Sequence, residues 1–397
     1  MQKFLRLALL LVAATAVSVG ATATRDLGTL EVLNDSKTLP VRISASTPEL
    51  TALAVQAFDT HGRYRRVASG HAFDIKFTAV TATQVRVDIT RSPSGTAVAS
   101  EVVTGASARN ALLKAADVAV VKTNGLGLRG FFASKLAFIN ERTGKKEIYT
   151  GDLMFGEVKQ ITRDNSITLS PRWAPDGSRL LYTSYYKSGF PDIFTIDLGS
   201  YQRSTFVSFK GTNTGARFSP NGSQVAIVLS GEGNSEIYVS NAQRRQVARK
   251  TRSDMVKASP AGSPDGSRLV FAMGDSTPQL YVMSPAGGTP QRLVTGYSYA
   301  AEPDWSRTNP GKIACTVRSG GYQIAVYDFS KGKAEIVSKA SFDGIEPNWL
   351  PDGRHLVYTA RDRSSSRVCI LDTETGKSTA ISPKSFGSTM QGNVWSQ

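Results

Sequence analysis

The chain has 397 residues, which is long enough for two or more domains and a substantial buried core. Its 35 glycines and the scarcity of long helical patterns exclude a mainly helical fold and indicate a β-rich one. The formal net charge is +15, and this sign favours anionic polymers, lipids or acidic proteins as partners.

Residues 1–23 have the pattern of a secretory signal peptide. Lys3 and Arg6 form a basic start, residues 5–19 are an apolar run, and residues 21–23 are a small-residue cleavage site. An uncleaved membrane anchor is the alternative, but the run is short for a membrane span. We therefore expect an exported chain that starts at Thr24 and carries a net charge of +13 (15 − 2). Export argues against nucleic acid as a partner.

Residues 24–130 predict a small α/β domain with an N-terminal leader. Thr47, Pro48 and Glu49 predict a helix start, because they suit the cap, the first turn and the positive end of the helix dipole. Strands are predicted at 40–44, 71–80, 84–90 and 96–103, and a second helix at 107–121.

Residues 131–397 are repetitive. The segment 170–180, SPRWAPDGSRL, predicts a strand, a tight turn and the start of another strand, and its aromatic position recurs at 173, 218, 262, 305, 349 and 395. Steps of 43 to 46 residues, with several short strands in each, predict four-stranded propeller blades. The aspartates of the Pro-Asp-Gly turns are interpreted as turn formers, not as ligands or catalysts.

The two ends of the repeat region complement each other. Residues 136–162 supply three strands without a motif strand before them, and residues 391–396 supply a motif strand with nothing after it. If these ends meet, ring closure removes the exposed sheet edges. An open array capped at each end is the alternative. The predicted fold is mainly β: a six-bladed β-propeller, residues 131–397, closed by its C-terminal strand and preceded by the small α/β domain.

Two smaller features concern cysteine and charge. Cys315 and Cys369 fall on strands of different units, which predicts two separate buried thiols rather than a disulfide. The basic run between Arg244 and Lys257 predicts either a docking strip or a solvated outer strand with its loop.

Motifs of enzyme chemistry are missing from the sequence. It has no Gly-x-Ser-x-Gly elbow and no phosphate-binding glycine motif, and His61, His71 and His355 lack metal-ligand spacing. We therefore predict no catalytic residues, no metal and no cofactor. Carboxylates that converge inside the propeller channel stay open as an alternative, since any inner strand could supply one.

The two mouths of such a propeller differ. The short Pro-Asp-Gly turns decorate one mouth, and loops with non-repeating aromatic, methionine and basic side chains decorate the other. Such loops favour a protein-docking surface, although their rings could also fold back onto the blades.

The motif at 170–180, its copies and the junction at 123–138 resemble the TolB family, and so does the order of signal peptide, α/β domain and six blades. The resemblance covers essentially the whole mature chain. It implies a non-enzymatic, monomeric periplasmic protein of the Tol-Pal cell-envelope system, peripheral to membranes. It also implies roles in envelope integrity, protein transport and outer-membrane constriction during cell division.

The resemblance further implies two partners. A Pal-like peptidoglycan-associated lipoprotein would bind the propeller at Thr212, Asn213, Thr214, Tyr297, Tyr299, Glu302, Phe342, Asp343, Glu346 and Thr389. A TolA-like inner-membrane protein would bind an N-terminal segment at Arg25, Asp26, Leu27, Leu30 and Val32. The alternative is a periplasmic propeller enzyme or glycan-binding protein that acts through the central channel.

Overall fold

The computed structural model describes residues 38–339 and 341–396. The expected signal peptide at 1–23 and the expected N-terminal partner segment, with Arg25, Asp26, Leu27, Leu30 and Val32, lie outside the described residues. Within the described residues, the helices are all too short or too polar to cross a bilayer.

The first domain is a five-stranded sheet with two helices. Its elements are β1 (Leu39–Ala45), α1 (Pro48–Thr60), β2 (Tyr64–Arg66), β3 (Phe73–Thr81), β4 (Gln84–Arg91), β5 (Thr96–Thr104) and α2 (Ala108–Thr123). The strand order is β2-β1-β3-β4-β5; β1 runs parallel to both neighbours, and the other pairs are antiparallel. Alternate residues of β4 (Val85, Val87 and Ile89) are buried, so one face of the sheet packs on the helices.

The first helix begins at the predicted cap, and the second begins one residue after its predicted start, with Ser107 as its cap. The Thr47 hydroxyl accepts a hydrogen bond from the Leu50 amide, and the Ser107 hydroxyl accepts one from the Asn110 amide. The second helix extends two residues beyond its predicted end, to Thr123. The three-residue strand β2 is missing from the sequence prediction, because it is too short for a visible alternation and forms through parallel pairing with β1.

The rest of the chain forms six antiparallel blades of four strands. From the channel outwards, blade 1 consists of β29 (Thr389–Trp395), β6 (Lys135–Asn140), β7 (Glu147–Asp152) and β8 (Lys159–Gln160). Blade 2 consists of β9 (Thr168–Trp173), β10 (Arg179–Ser184), β11 (Asp192–Asp197) and β12 (Arg203–Val207). Blade 3 consists of β13 (Asn213–Phe218), β14 (Gln224–Leu229), β15 (Glu236–Asn241) and β16 (Ala248–Arg249). In the same order, blade 4 consists of β17 (Lys257–Gly262), β18 (Leu269–Met273), β19 (Gln279–Met283) and β20 (Gln291–Arg292). Blade 5 consists of β21 (Ala300–Trp305), β22 (Lys312–Ser319), β23 (Gly321–Asp328) and β24 (Lys333–Ile336). Blade 6 consists of β25 (Asp343–Trp349), β26 (His355–Arg361), β27 (Ser366–Asp372) and β28 (Ser378–Ala380).

The last strand completes the first blade, which confirms the predicted ring closure. β29 pairs antiparallel with β6, with Trp395 opposite Lys135. The Trp395 indole N–H donates to the Pro175 carbonyl in the first turn of blade 2 at 2.9 Å, and the Trp173 indole N–H donates to the Asn393 carbonyl at 3.0 Å. The closing strand is therefore bonded to two blades, and its free edge is covered.

Several local predictions are also confirmed. Asp176 Oδ1 accepts from the Ser178 amide at 3.0 Å, and Asp265 Oδ1 accepts from the Ser267 amide at 3.1 Å, so these aspartates stabilise their turns. The two cysteines are free and buried on different blades.

We predict that Gly177→Ala destabilises the protein more than Gly266→Ala. The two glycines occupy equivalent turns with φ of 69° and 71°, so either alanine costs about 1–2 kcal/mol in backbone strain. A Cβ at 177 would lie 2.3 Å from the Trp395 ring, whereas one at 266 would meet nothing within 4 Å. In Gly177→Ala, displacement of Trp395 lowers the free energy of unfolding by a further ~1–3 kcal/mol, which urea unfolding can measure. Equal losses in the two variants would contradict a closing role for this contact.

Candidate functional site: the channel and the loop face

Each inner strand of the propeller carries a β-bulge, marked by a shift in its pairing with the second strand. One residue of each bulge has φ between 52° and 65°; the six are Ser170, Gly215, Ser259, Glu302, Glu346 and Gln391. All six line a cavity in the channel. Because five of them are not glycine, the channel wall holds left-handed backbone that such residues rarely adopt.

Two of these bulge residues are glutamates from neighbouring blades. Glu302 Oε2 accepts from the Thr316 hydroxyl at 2.7 Å and from the Glu346 amide at 2.9 Å. Glu346 accepts from the Thr359 hydroxyl at 2.9 Å and from the Gln391 side-chain amide at 2.8 Å. Burial raises the pKa of Glu302 to about 7, and the charge of Glu346 adds to the effect. Glu302 therefore holds its proton more readily than an exposed glutamate.

A belt of polar side chains joins the inner strands two residues further along. Asp304 Oδ2 accepts from the Asn348 side-chain amide at 2.9 Å and from the Trp349 backbone amide at 2.7 Å. Asn348 Oδ1 in turn accepts from the Asn393 side-chain amide at 3.2 Å. Arg217, two blades away in blade 3, forms an ion pair with Asp304. The belt therefore links blades 3, 5, 6 and 1 around the channel.

The channel cavity is small. It encloses about 130 Å³ and is lined by Arg172 and Arg217 as well as by the two glutamates. Burial lowers the pKa of Arg172, and the carboxylates of Glu346 and Glu302 oppose that shift. Pockets that bind organic ligands usually enclose roughly 300 Å³ or more. The converging carboxylates would suit an enzyme that acts on glycans, but this cavity does not have the volume for a sugar residue and its neighbours.

The other expected partner residues lie on the loop face, which we define as the propeller mouth formed by the loops between second and third strands and by the links between blades. Those whose side chains are partly exposed are Thr212, Thr214, Tyr297, Tyr299 and Asp343. Tyr299 packs edge-on against Tyr322 with 5.3 Å between ring centroids, and Arg361 donates to Asp343 at 3.3 Å. Glu302 and Glu346 lie deeper, in the channel wall.

Three expected partner residues instead have buried side chains that support the loops. The Asn213 amide donates to the carbonyls of Pro191 at 3.1 Å and Phe209 at 2.8 Å. The Thr389 hydroxyl accepts from the Asn140 amide at 3.0 Å, and Phe342 packs in the core of blade 6. In this conformation these side chains hold the loops in place and do not face solvent.

The first domain packs on the opposite mouth, which we call the turn face, at blades 1 and 6. Arg109 on α2 makes two hydrogen bonds to Asp152, at 2.7 and 3.1 Å. Asp117 accepts from the amides of Phe132 at 2.6 Å and Ala133 at 3.0 Å in the connection to blade 1. Burial raises the pKa of Asp117 to about 7 despite these bonds. Asp117 therefore ties α2 to the connection that leads into blade 1.

A buried ionic cluster joins the end of α1 to blade 6. His355 Nδ1 lies 2.5 Å from Asp352 Oδ2, and its Nε2 lies 3.2 Å from the Gly62 amide and 3.4 Å from Asp372 Oδ2. Arg354 makes two hydrogen bonds to Asp372, at 2.9 and 2.6 Å. Burial alone would lower the pKa of His355, but the two carboxylates outweigh it and raise the pKa to about 9. Asp352, interpreted from sequence as a turn former, thus also binds a histidine.

His61 completes this cluster from the first domain. Its ring centroid lies 4.3 Å from that of His355 and 5.2 Å from that of Phe131. Its Nε2 is buried and has no hydrogen-bond partner among the described residues. Burial and the charge of His355 lower the pKa of His61 well below 6.5. His61, Asp352 and His355 lie close enough together to be considered as metal ligands, but the ring nitrogens of His355 already face carboxylates, Nδ1 that of Asp352 and Nε2 that of Asp372. The group therefore fits a hydrogen-bonded cluster better than a metal site.

The basic run between Arg244 and Lys257 is partly neutralised. Lys257 is buried and forms an ion pair with Glu236 at 2.9 Å. Arg249 contacts both Glu232 and Glu236 at 2.9 Å. The run is therefore neither a uniform docking strip nor a fully solvated strand.

The propeller sequence matches a known family. The family model described as the TolB beta propeller domain matches residues 125–397. The chain belongs to this TolB family. The predicted resemblance is thereby confirmed, and with it the six-bladed architecture that the strand pairing shows independently.

Individual relatives agree with this assignment. The Tol-Pal system protein TolB of Desulfosudis oleivorans is 41% identical over 127 residues, which cover 32% of this chain and 28% of that protein. A Protein TolB homolog of Chlorobium luteolum is 33% identical over 163 residues, or 41% of this chain and 37% of that protein. The matches thus span only about a third of these relatives' length. The crystal structure of TolB from Acinetobacter baumannii has a TM-score of 0.80 over 93% of this chain and 98% of that chain at 22% identity, so the fold is shared.

The interdomain histidine generates a prediction about pH. Because the pKa of His61 is lowered in the folded protein, only the unfolded chain gains a proton there as pH falls below 6.5. The contribution of this site to the free energy of unfolding therefore decreases in acid, by up to about 2 kcal/mol at pH 5. His61→Phe, which keeps the stacking on Phe131, is expected to reduce this acid loss in denaturant titrations at pH 7.5 and 5.

Tyr64→Phe is the matched control for this prediction. It removes a hydroxyl that bonds to Thr123 at 2.8 Å in the same region without removing a group that titrates below neutral pH. It should cost about 1 kcal/mol equally at both pH values. If the free energy of unfolding of His61→Phe fell as much between pH 7.5 and 5 as that of the unaltered protein, the lowered pKa of His61 would be contradicted.

Proposed function

We propose that this TolB-family protein is a non-enzymatic periplasmic scaffold of the Tol-Pal cell-envelope system. Its propeller binds a peptidoglycan-associated lipoprotein through the loop face. Its N-terminal segment, with Arg25, Asp26, Leu27, Leu30 and Val32, binds a TolA-like inner-membrane protein. In this role the protein supports envelope integrity, protein transport and the constriction of the outer membrane during division.

The asymmetry between the two mouths of the propeller is the observation that carries this proposal. The turn face is occupied by the first domain through the Arg109–Asp152 pair and the buried cluster around His355. The described contacts between the domains do not reach the loop face. The same face carries the loops that differ from blade to blade, which is where binding residues are expected on a rigid scaffold.

The centre of the loop face has the composition of a protein-docking surface. Tyr297, Tyr299 and Asp343 are partly exposed on this face. Tyrosine supplies a large contact area and a polar tip, and it is enriched where binding energy concentrates. The buried side chains of Asn213 and Thr389 fix the loops beneath, so a partner meets a surface that is already ordered.

The names of the relatives support membership in the same system. One of them is named a Tol-Pal system protein, although the match covers only 28% of its length. The export signal predicted at residues 1–23 supports a periplasmic location. The role of the N-terminal segment rests on the family resemblance alone, because the segment lies outside the described residues.

A catalytic role through the channel is less well supported. Glu302 and Glu346 converge there, but both accept hydrogen bonds from side chains of their own or a neighbouring blade. The cavity beside them encloses about 130 Å³, which is small for an organic substrate. The carboxylates are better explained as partners that hold the strained bulges in place.

Calorimetric titration with the lipid-free domain of the peptidoglycan-associated lipoprotein from the same organism tests the proposal. Tyr299→Ala on the loop face is expected to weaken binding about tenfold or more, as for a residue at the centre of an interface. Tyr201→Ala is the matched control, because Tyr201 is 43% exposed on the turn face. It is expected to bind like the unaltered protein. Absence of binding, or equal losses in both variants, would contradict the proposal.

A further inference from the structure

One sector of the loop face exposes large apolar side chains. We call this sector the apolar rim; it runs over blades 2 and 3 to the link into blade 4. Its members are 40% to 68% exposed and are Ile167, Tyr186, Phe190, Phe209, Met255 and Val256. Soluble proteins expose single apolar residues routinely, but six of them on neighbouring loops of one mouth indicate an interaction site.

Hydrogen bonds between neighbouring loops hold the first part of the rim together. The Tyr185 amide donates to the Ile167 carbonyl at 3.1 Å, which ties two loops of blade 2. The Asn213 side chain bonds both to the Pro191 carbonyl, next to Phe190, and to the Phe209 carbonyl. Ile167, Tyr186, Phe190 and Phe209 are therefore carried by loops that are fixed relative to one another.

The same arrangement continues to the second part of the rim. The Thr212 amide donates to the Ser230 hydroxyl at 2.8 Å, which joins the Phe209 loop to blade 3. The Asn234 side chain donates to the Asp254 carbonyl at 2.9 Å, immediately before Met255. Because the backbone beneath is ordered, the exposed side chains do not gain burial by a simple collapse of their loops.

Basic side chains accompany the apolar ones. Lys187, Lys210, Arg163 and Arg252 are exposed on the same four loops, and within the described part of the chain they form no ion pair. The acidic groups nearby are mostly neutralised: Asp164 pairs with Arg203, and Glu232 pairs with Arg249. Asp254 and Asp275 are the exceptions: neither forms an ion pair among the described residues, and Asp275 Oδ1 accepts from the Val256 amide at 3.2 Å. The rim therefore presents uncompensated positive charge on the loops of Ile167, Phe190 and Phe209, but not on the loop of Met255 and Val256.

We propose that the apolar rim binds the surface of an anionic phospholipid membrane. Phe190, Phe209 and their apolar neighbours enter the boundary between headgroups and acyl chains, while Lys187 and Lys210 contact the phosphates. A protein interface typically has one contiguous apolar centre with a polar border. Here the apolar groups stand on separate loops and each has a basic neighbour, a pattern that matches interfacial membrane binding better. The net charge of +13 (15 − 2) expected for the exported chain adds long-range attraction to the same surface.

This inference goes beyond the proposed docking of a lipoprotein. Its membrane contacts use neither Tyr299 nor Asp343, which lie on the loop face at blades 5 and 6, although Phe209 and Lys210 share a loop with the expected partner residue Thr212. A membrane contact through blades 2 and 3 would also orient the propeller, because the rim lies on one side of the loop face and the first domain lies on the opposite mouth.

Vesicle cosedimentation of the full protein tests the inference. The probes are vesicles of phosphatidylcholine with about one third phosphatidylglycerol and vesicles of phosphatidylcholine alone. We expect binding to the anionic vesicles that weakens as salt is raised, and little binding to the neutral ones. Phe190→Ser combined with Phe209→Ser is expected to weaken binding about tenfold, and so is Lys187→Gln combined with Lys210→Gln.

Val102→Ser combined with Val121→Ser is the matched control, since these valines are 54% and 56% exposed on the first domain. It should bind vesicles like the unaltered protein, and thermal melting should show that all variants are folded. Absence of binding to anionic vesicles, or equal losses in the control, would overturn the inference. The inference would also be overturned if the unaltered protein did not bind vesicles and a rim variant no longer bound the lipoprotein. That result would identify the rim as a protein contact.

Discussion

The architecture depends on the pairing of β29 with β6. This pairing joins residues near the end of the chain to the first strand after the α/β domain, and it removes the two edges that an open array of blades would expose. Two tryptophans also bind β29 to blade 2: Trp173 and Trp395 each donate an indole hydrogen bond across the boundary between blades 1 and 2. Closure therefore fixes the diameter of the channel and the relative positions of the loops on each mouth.

The closed ring explains why polar groups can occupy the channel. Asp304, Asn348 and Asn393 bond successively around the inner strands, and Arg217 neutralises the aspartate. Bonds between neighbouring bulges support this strained backbone: the Glu302 carboxylate accepts from the Glu346 amide, and the Glu346 carboxylate accepts from the Gln391 side chain. On the turn face, the His61 and His355 cluster and Asp117 fasten the first domain. One mouth is thus used for attachment, which leaves the other with surface suited to partners.

Much of the fold could be predicted from sequence because its signals are local and repeated. The Pro-Asp-Gly turns and the cap at Thr47 each act within a few residues, and the aromatic position recurs at steps of 43 to 46 residues. The complementary partial blades then required closure. The site was less predictable. The burial of Asn213 and Thr389 depends on contacts with other loops. Glutamate normally avoids left-handed backbone, so the residue type at position 302 does not predict the conformation that Glu302 adopts. The contact of His61 with His355 joins two domains and has no sequence signal.

Hydrogen exchange of the backbone amides of Thr389–Trp395 tests the central claim most directly. If β29 closes the ring, its hydrogen-bonded amides exchange only through global opening, with protection equal to that of Lys135–Asn140 in β6. If instead the last strand exchanges rapidly while β6 and β7 stay protected, the ring is open in solution. The loop face would then not be the fixed surface described here.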